Sequence, residues 1–248
     1  MRLAVFGDVH GNLEALELFL DHARELDVHR YACIGDIIGY GPNPNECIEK
    51  IRSLPKINVT MGNHEWASLN LNESSVHMIP MAYAAIVWTQ KRLSTDSTKY
   101  ISELYDKIEM GPYTFVHASA FQPRKWAYLS SRKNFRIMLC FHSSSTRITF
   151  VGHTHRPMIL DSHGRHLTDD VTFPDRTTYA DDGTRRILVN PGSIGQPRDT
   201  LMKPCYVLHD TIKNELTWYR LNNYDPAITA QKILATDLPE ECAYYLTR

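Results

Sequence analysis

Apolar runs recur along this chain, and several of them end in a short polar signature. Leu3-Ala4-Val5-Phe6 reads as a buried strand. After the break at Gly11, Leu13, Leu16, Leu20 and Ala23 recur at three- and four-residue spacing, which predicts one face of a helix. Tyr31 to Ile34 predicts a second strand, Asn45 to Leu54 a helix closed by Pro55, and Ile57 to Met61 a third strand leading to Asn63. Strands alternating with helices imply parallel pairing with right-handed crossovers.

Residues 66–106 change character. Met81 to Trp88 and Ile101 to Tyr105 read as helices joined by Ser/Thr stretches, so a helical insertion is expected there within a single domain spanning 1–248. Beyond Thr114 strands return, at Ile148 to Val151, Arg186 to Val189 and Cys205 to Leu208. The polar stretch 161–185 reads as an extended hairpin or a loop, and Pro226 to Leu246 as one or two packing helices.

Five polar signatures follow these runs in order: Gly7-Asp8-Val9-His10-Gly11-Asn12, Gly35-Asp36, Gly62-Asn63-His64-Glu65, Val116-His117 and Gly152-His153-Thr154-His155. Carboxylate, imidazole and amide oxygen are donors for divalent metals, and placing them at strand ends gathers them at one sheet edge. Asp8 and His10 are two apart, as are His153 and His155, so on a pleated backbone each pair points to one side. Taken singly, His117 after a strand reads as a satisfied core histidine rather than a ligand, and Asp36 after Gly as a turn residue or N-cap; the ordered set is what makes them ligand candidates.

The ordered series resembles the calcineurin-like metallophosphoesterases, whose pattern is D-x-H, G-D, G-N-H, a lone His and G-H-x-H. Asn190-Pro191-Gly192-Ser193-Ile194-Gly195-Gln196-Pro197-Arg198, Tyr224-Asp225-Pro226 and Leu238-Pro239 resemble the smaller bacterial and archaeal members, of phosphodiesterase type. The resemblance implies an α/β fold of two packed mixed β-sheets flanked by helices. It implies that Asp8, His10 and His155 hold one metal, that Asn63, His117 and His153 hold another, and that Asp36 bridges the two. Manganese, iron, zinc and nickel suit such donors. The implied reaction is phosphoester hydrolysis by metal-activated water, with a phosphodiester favoured over a monoester or a dinucleoside polyphosphate. His64 would serve the leaving group. The pattern departs from phosphatases that carry G-D-x-x-D-R, because Gly39 stands where their second Asp orients that histidine. A second reading, from a different class, is a non-catalytic interaction scaffold like the retromer subunit built on this fold.

Other residues stay divided between roles. Arg198 suits either a phosphate clamp or a carboxylate pair. Tyr40 reads as part of a rigid loop or a pocket wall, Asn190 to Ser193 as a simple turn or more, and Trp126 with Tyr128 as packing or a stacking surface.

Composition narrows the partners. In 248 residues, 43% are hydrophobic, 22% are charged and the formal net charge is −1, so nothing draws in a long nucleic acid. A small-molecule phosphoester is expected, with nucleotides among the candidates. No apolar stretch is long enough to span a bilayer and Met1-Arg2 leads straight into the first strand, which predicts a cytoplasmic protein. Five scattered cysteines (Cys33, Cys47, Cys140, Cys205 and Cys242) without a C-x-x-C pair read as reduced thiols. No P-loop, H-E-x-x-H or G-x-S-x-G motif is present.

Overall fold

Alternation within the first strand sets the layers. The structure is a computed structural model that describes residues 1–74, 78–129, 146–162, 166–168 and 174–248. In β1 (Arg2–Phe6), Leu3 and Val5 point into one core while Ala4 and Phe6 point into another, because successive strand residues face opposite sides. Both faces are therefore covered.

The first sheet has the order β3-β2-β1-β11-β12-β9. Here β2 is Arg30–Cys33, β3 Ile57–Val59, β9 Arg176–Ala180, β11 Cys205–Asp210 and β12 Glu215–Arg220. The pairs β1/β2 and β2/β3 are parallel, as expected of strand-helix-strand units, whereas β11, β12 and β9 add on antiparallel. The second sheet has the order β4-β5-β6-β10-β7-β8. Its strands are β4 (Lys107–Met110), β5 (Tyr113–Val116), β6 (Ile148–Phe150), β7 (Pro157–Asp161), β8 (His166–Thr168) and β10 (Ile187–Pro191). It too mixes parallel and antiparallel pairs. Two mixed sheets flanked by helices are the arrangement the motif series implied.

The sheets meet through Leu3, Val5 and Trp218 on one side and Phe115, Phe150 and Val189 on the other. The outer face of the first sheet carries α1 (Leu13–Glu25) and α2 (Pro44–Arg52), whose Leu16, Phe19, Ile48 and Ile51 cover Phe6 and Cys33. Each such side chain taken fully out of water contributes about 1.5–3 kcal/mol, which is enough to fix how the strand tips sit relative to one another.

Between β3 and β4 the chain forms α3 (Asn63–Leu69), α4 (Leu71–Ser74), α5 (Pro80–Arg92) and α6 (Thr95–Ser102). The helix expected over Ile101 to Tyr105 is corrected. The Ser/Thr stretch before it is itself the helix, because Ser94 caps it by accepting from Ser97 N–H and Ser97 and Ile101 form its buried side. Tyr105 instead makes an isolated bridge to Thr60. The polar stretch 161–185 supplies β8, which pairs back on β7, and β9, which joins the other sheet. The C-terminal segment forms α7 (Pro226–Leu234) and α8 (Glu240–Thr247). Cys140, His77, His142 and His163 lie outside the described residues. Among the described residues no helix is long and apolar enough to cross a membrane.

Candidate metal centre

Loops at the strand ends bring seven of the predicted donors together. Asp8 and His10 follow β1, Asp36 follows β2, Asn63 opens α3, His117 follows β5, and His153 and His155 follow β6. Two donor clusters result: Asp8, His10, Asp36 and His155 in one, and Asp36, His117 and His153 in the other. Asn63 joins the second, its Oδ1 lying 2.9 Å from His117 Nε2.

The convergence does not come from a pleated strand, which corrects the spacing argument. β1 stops at Phe6, and Asp8, His10, Asp36, His153 and His155 all have positive φ, between 50° and 65°. Asp and His tolerate this left-handed region better than most residues, yet each such residue still costs about 1–2 kcal/mol. Backbone hydrogen bonds between loops hold them there. Asp8 N–H donates to Gly35 O, Val9 and His10 N–H to Asp36 O, and Gly195 N–H to Asp8 O.

Orientation of the rings follows from backbone carbonyls. Ring Nδ1 of His10 lies 3.1 Å from Ile38 O, that of His117 2.9 Å from Ile34 O and that of His155 2.6 Å from Gln196 O. A carbonyl only accepts, so each Nδ1 carries the proton and, in the neutral ring, each Nε2 presents a lone pair. His10 Nε2 and His155 Nε2 then face one another at 3.1 Å. His117 Nε2 faces Asn63 Oδ1, Asp36 Oδ2 at 3.3 Å and His153 Nδ1 at 3.2 Å. His153 Nε2 is buried without a partner among the described residues. Acceptors crowded on acceptors require a cation or an added proton between them, so the donor set fits metal ions.

Electrostatics report the same crowding. Burial pushes Asp8 up to about 7, helped by the charge of Asp36 and opposed by His117, while Asp36 is held well below the usual carboxylate range by His117, His64 and His10 despite its burial. Burial works against charge on His117, but Asp36 and Asp8 raise it to about 9. Burial lowers His10 and His155 well below the ordinary imidazole value. Asp36 is the focus: Oδ2 lies 3.3 Å from His117 Nε2, 3.7 Å from His10 Nε2 and 3.9 Å from His64 Nε2, and Oδ1 accepts from His64 N–H at 2.9 Å.

His64 is buried beside this focus, and burial, opposed by Asp36, lowers it to about 4. Its ring lies 4.7 Å from both the His10 and the Tyr40 ring. Tyr40, at φ 63°, is both a constrained loop residue and a wall of the site. Arg198 reaches the same cleft, its Nη2 donating to Gln196 Oε1 at 2.8 Å. No carboxylate among the described residues lies within ion-pair distance of Arg198, so the carboxylate-pair alternative is not what forms.

One buried acid went unassigned in the sequence reading. Glu65 is fully buried, and its carboxylate accepts from the backbone N–H groups of Asp36, Ile37, Ile38 and Gly62 at 2.8–3.1 Å. It ties the Asp36 loop to the start of α3. The signal was available, because Glu at the third position of a helix that opens at Asn63 is where a capping carboxylate sits. Asn190 and Ser193 likewise do more than turn the chain. Asn190 Nδ2 donates to Gly152 O and Thr154 Oγ1 at 3.0 Å, and Ser193 Oγ donates to Asp8 O at 2.8 Å.

Beside the donors lies a cleft of about 740 Å³. Its lining also carries Trp66, Ile79, Met81 and Trp126, and the Tyr128 ring stacks on His153 with centroids 4.0 Å apart. Trp126 and Tyr128 therefore line the cleft and are not core packing.

Residues 1–214 match the calcineurin-like phosphoesterase superfamily domain. The chain belongs to that superfamily. An uncharacterised protein of Methanocaldococcus jannaschii is 33% identical over 242 residues, spanning 96% of this chain and 94% of that one. The crystal structure of a metallophosphoesterase from Sphaerobacter thermophilus superposes with a TM-score of 0.84 at 31% identity, over 100% of this chain and 98% of that one. A hypothetical protein from Pyrococcus horikoshii gives 0.79 at 20% identity, over 99% and 97% of the two chains, and shows the fold alone. Membership of the calcineurin-like superfamily supports a phosphoester hydrolase. It also implies divalent metal ions, for which the two donor clusters are candidates.

Proposed function

We propose that this protein is a binuclear-metal-dependent phosphoesterase acting on a small phosphodiester. In this reading residues 1–248 work as one domain, with a helical insertion over about 66–106 that lines part of the cleft. The observation that carries it is the sharing of Asp36 by two buried donor clusters. Asp8, His10 and His155 would hold one ion, Asn63, His117 and His153 the other, and the Asp36 carboxylate would span both. Manganese, iron, zinc or nickel fits these donors. When bound, two such ions supply charge against the phosphoryl oxygens and a more acidic water for in-line attack.

The chain's own residues do the rest. Arg198 orients a non-bridging phosphoryl oxygen through its N–H groups. His64 hydrogen-bonds the leaving-group oxygen, its backbone being fixed by Asp36 Oδ1. The Trp66, Ile79 and Met81 side accepts the organic substituents and excludes water from them. Room on that side is what favours an ester with two substituents. Cys33, Cys47, Cys205 and Cys242 are buried thiols, which suits the cytoplasmic location expected from the sequence.

Metal analysis of the purified protein, coupled to hydrolysis of an aryl phosphodiester with manganese added, tests the proposal. About two equivalents of metal with turnover supports it. No metal and no turnover after reconstitution would favour the interaction scaffold.

A further inference from the structure

Arg198 is held in the cleft without a counter-charge at contact distance. Its Nη2 donates to Gln196 Oε1, and its Nε is buried with no partner among the described residues. Its Cζ lies 5.9 Å from the ring centroid of Tyr245 on α8, within reach of the electron-rich face. Every one of these partners is uncharged. A contacting carboxylate would spend the positive charge on an internal pair. An amide oxygen and an aromatic face orient the fork and leave its charge for a phosphoryl group.

Tyr245 reaches this position because α8 is anchored beside the site. Cys242, Ala243 and Leu246 form its buried face and pack in one cluster with Tyr40 and with Ala82, Ala85 and Trp88 of α5. Tyr245 sits at the flank of that face, half-buried, at the edge of the cleft. The guanidinium of Arg248 lies 3.4 Å from its ring centroid and steadies it. Residues 226–247 follow the stretch that matches the superfamily, so this contact reaches the site from outside it.

We infer that Tyr245 is a positioning residue for Arg198, and that the C-terminal helix pair is thereby part of the phosphoryl-binding site. The inference rests on the phosphoester-binding reading above. Its effect is on affinity, through the direction in which Arg198 points.

The test uses the full-length, manganese-loaded protein and its variants Tyr245→Leu, Tyr245→Phe, Arg198→Gln and Tyr245→Leu/Arg198→Gln. The dissociation constant of orthophosphate is read by calorimetry, and KM and kcat on bis(4-nitrophenyl) phosphate by absorbance. Tyr245→Leu is expected to weaken phosphate binding and raise KM by roughly 3- to 10-fold, the scale of one cation–π contact, and to change kcat less. Tyr245→Phe, which keeps the aromatic face, is expected to restore most of that loss. In the Arg198→Gln background the Tyr245→Leu change should cost nothing further. Wild-type affinity in Tyr245→Leu, an equal loss in the Arg198→Gln background, or a loss of metal or melting temperature that accounts for the change would each overturn the inference. Phosphate binding that depends on both residues without turnover leaves it standing and sinks the hydrolase reading. Neither binding nor turnover in the wild type sinks both.

Discussion

Gly39 and the imidazole of His64 press against each other. A methyl group on Gly39 would overlap His64 Nδ1, and φ at Gly39 is +86°, a value that favours glycine. Some related phosphatases use an aspartate to orient the equivalent ring, and here there is bare backbone. The ring is held instead by packing, between Gly39, Tyr40 and His10, with its Nδ1 unpartnered among the described residues.

Gly39→Ala should therefore displace His64 and behave as a weaker copy of His64→Ala. Both variants should keep their metals, and His64→Ala should lose roughly 10²–10⁴-fold in turnover on an ester with a poor leaving group. An activated aryl leaving group should lose less, since it needs little help from a donor. Metal content and rates on two leaving groups of different basicity check this. Equal losses on both would argue against a role at the leaving group.

Glu65→Gln should destabilise the fold and loosen the Asp36 loop. The carboxylate serves four backbone N–H groups, and the amide turns an NH₂ toward some of them. Each buried N–H left unpaired costs about 1–3 kcal/mol. Urea unfolding and metal titration are the measurements. A variant within about 0.5 kcal/mol of wild type, the scatter of neutral surface changes, would mean the loop does not depend on this residue.

His209 supplies a pH test away from the donor clusters. It is 3% exposed, its Nδ1 lies 3.0 Å from the Tyr113 hydroxyl and its Nε2 has no partner among the described residues. Burial pushes it down to about 4, with Asp181 and Arg147 acting in opposite directions. The unfolded chain, with an ordinary imidazole near 6.5, takes up this proton first as pH falls. The contribution is thus intact above pH 6.5 and is lost between about 6.5 and 4, by up to about 1.4 kcal/mol per pH unit. Urea unfolding at pH 7.5, 6 and 5 should show a steeper acid loss in wild type than in His209→Asn, and parallel losses would remove His209 as the cause.

Substrate preference is the next expectation. The cleft beside the donors has room for two organic substituents, and a diester should be hydrolysed with higher kcat/KM than a monoester of matched leaving group. Paired aryl substrates settle it. A monoester preference would mean that Arg198 and its surroundings are built for a dianion.

Much of this was legible in the residues, for identifiable reasons. Buried parallel strands leave continuous apolar runs, so β1 and β2 could be read directly and Asp8 and Asp36 placed at their tips. What could not be read was the turn geometry. The spacing of Asp8 to His10 suggested a pleat, whereas the chain leaves the strand first and turns through left-handed residues held by a neighbouring loop. Such a conformation depends on partners 27 or 187 residues away, as in Val9 to Asp36 and Asp8 to Gly195. Local composition also misplaced α6, because Ser94 to Thr98 looks like a linker until the Ser94 cap is recognised. For Glu65 the capping position could be read locally, but not its three partners in the distant Asp36 loop.

Metal counting on Asp36→Asn tests the shared-carboxylate reading most directly. Wild type should bind about two equivalents of manganese, His10→Ala should chiefly lose one, and Asp36→Asn should lose both, since among the described residues no other side chain is shared by the two clusters. Asp36→Asn protein that still holds two manganese ions as tightly as wild type would show that Asp36 does not bridge them.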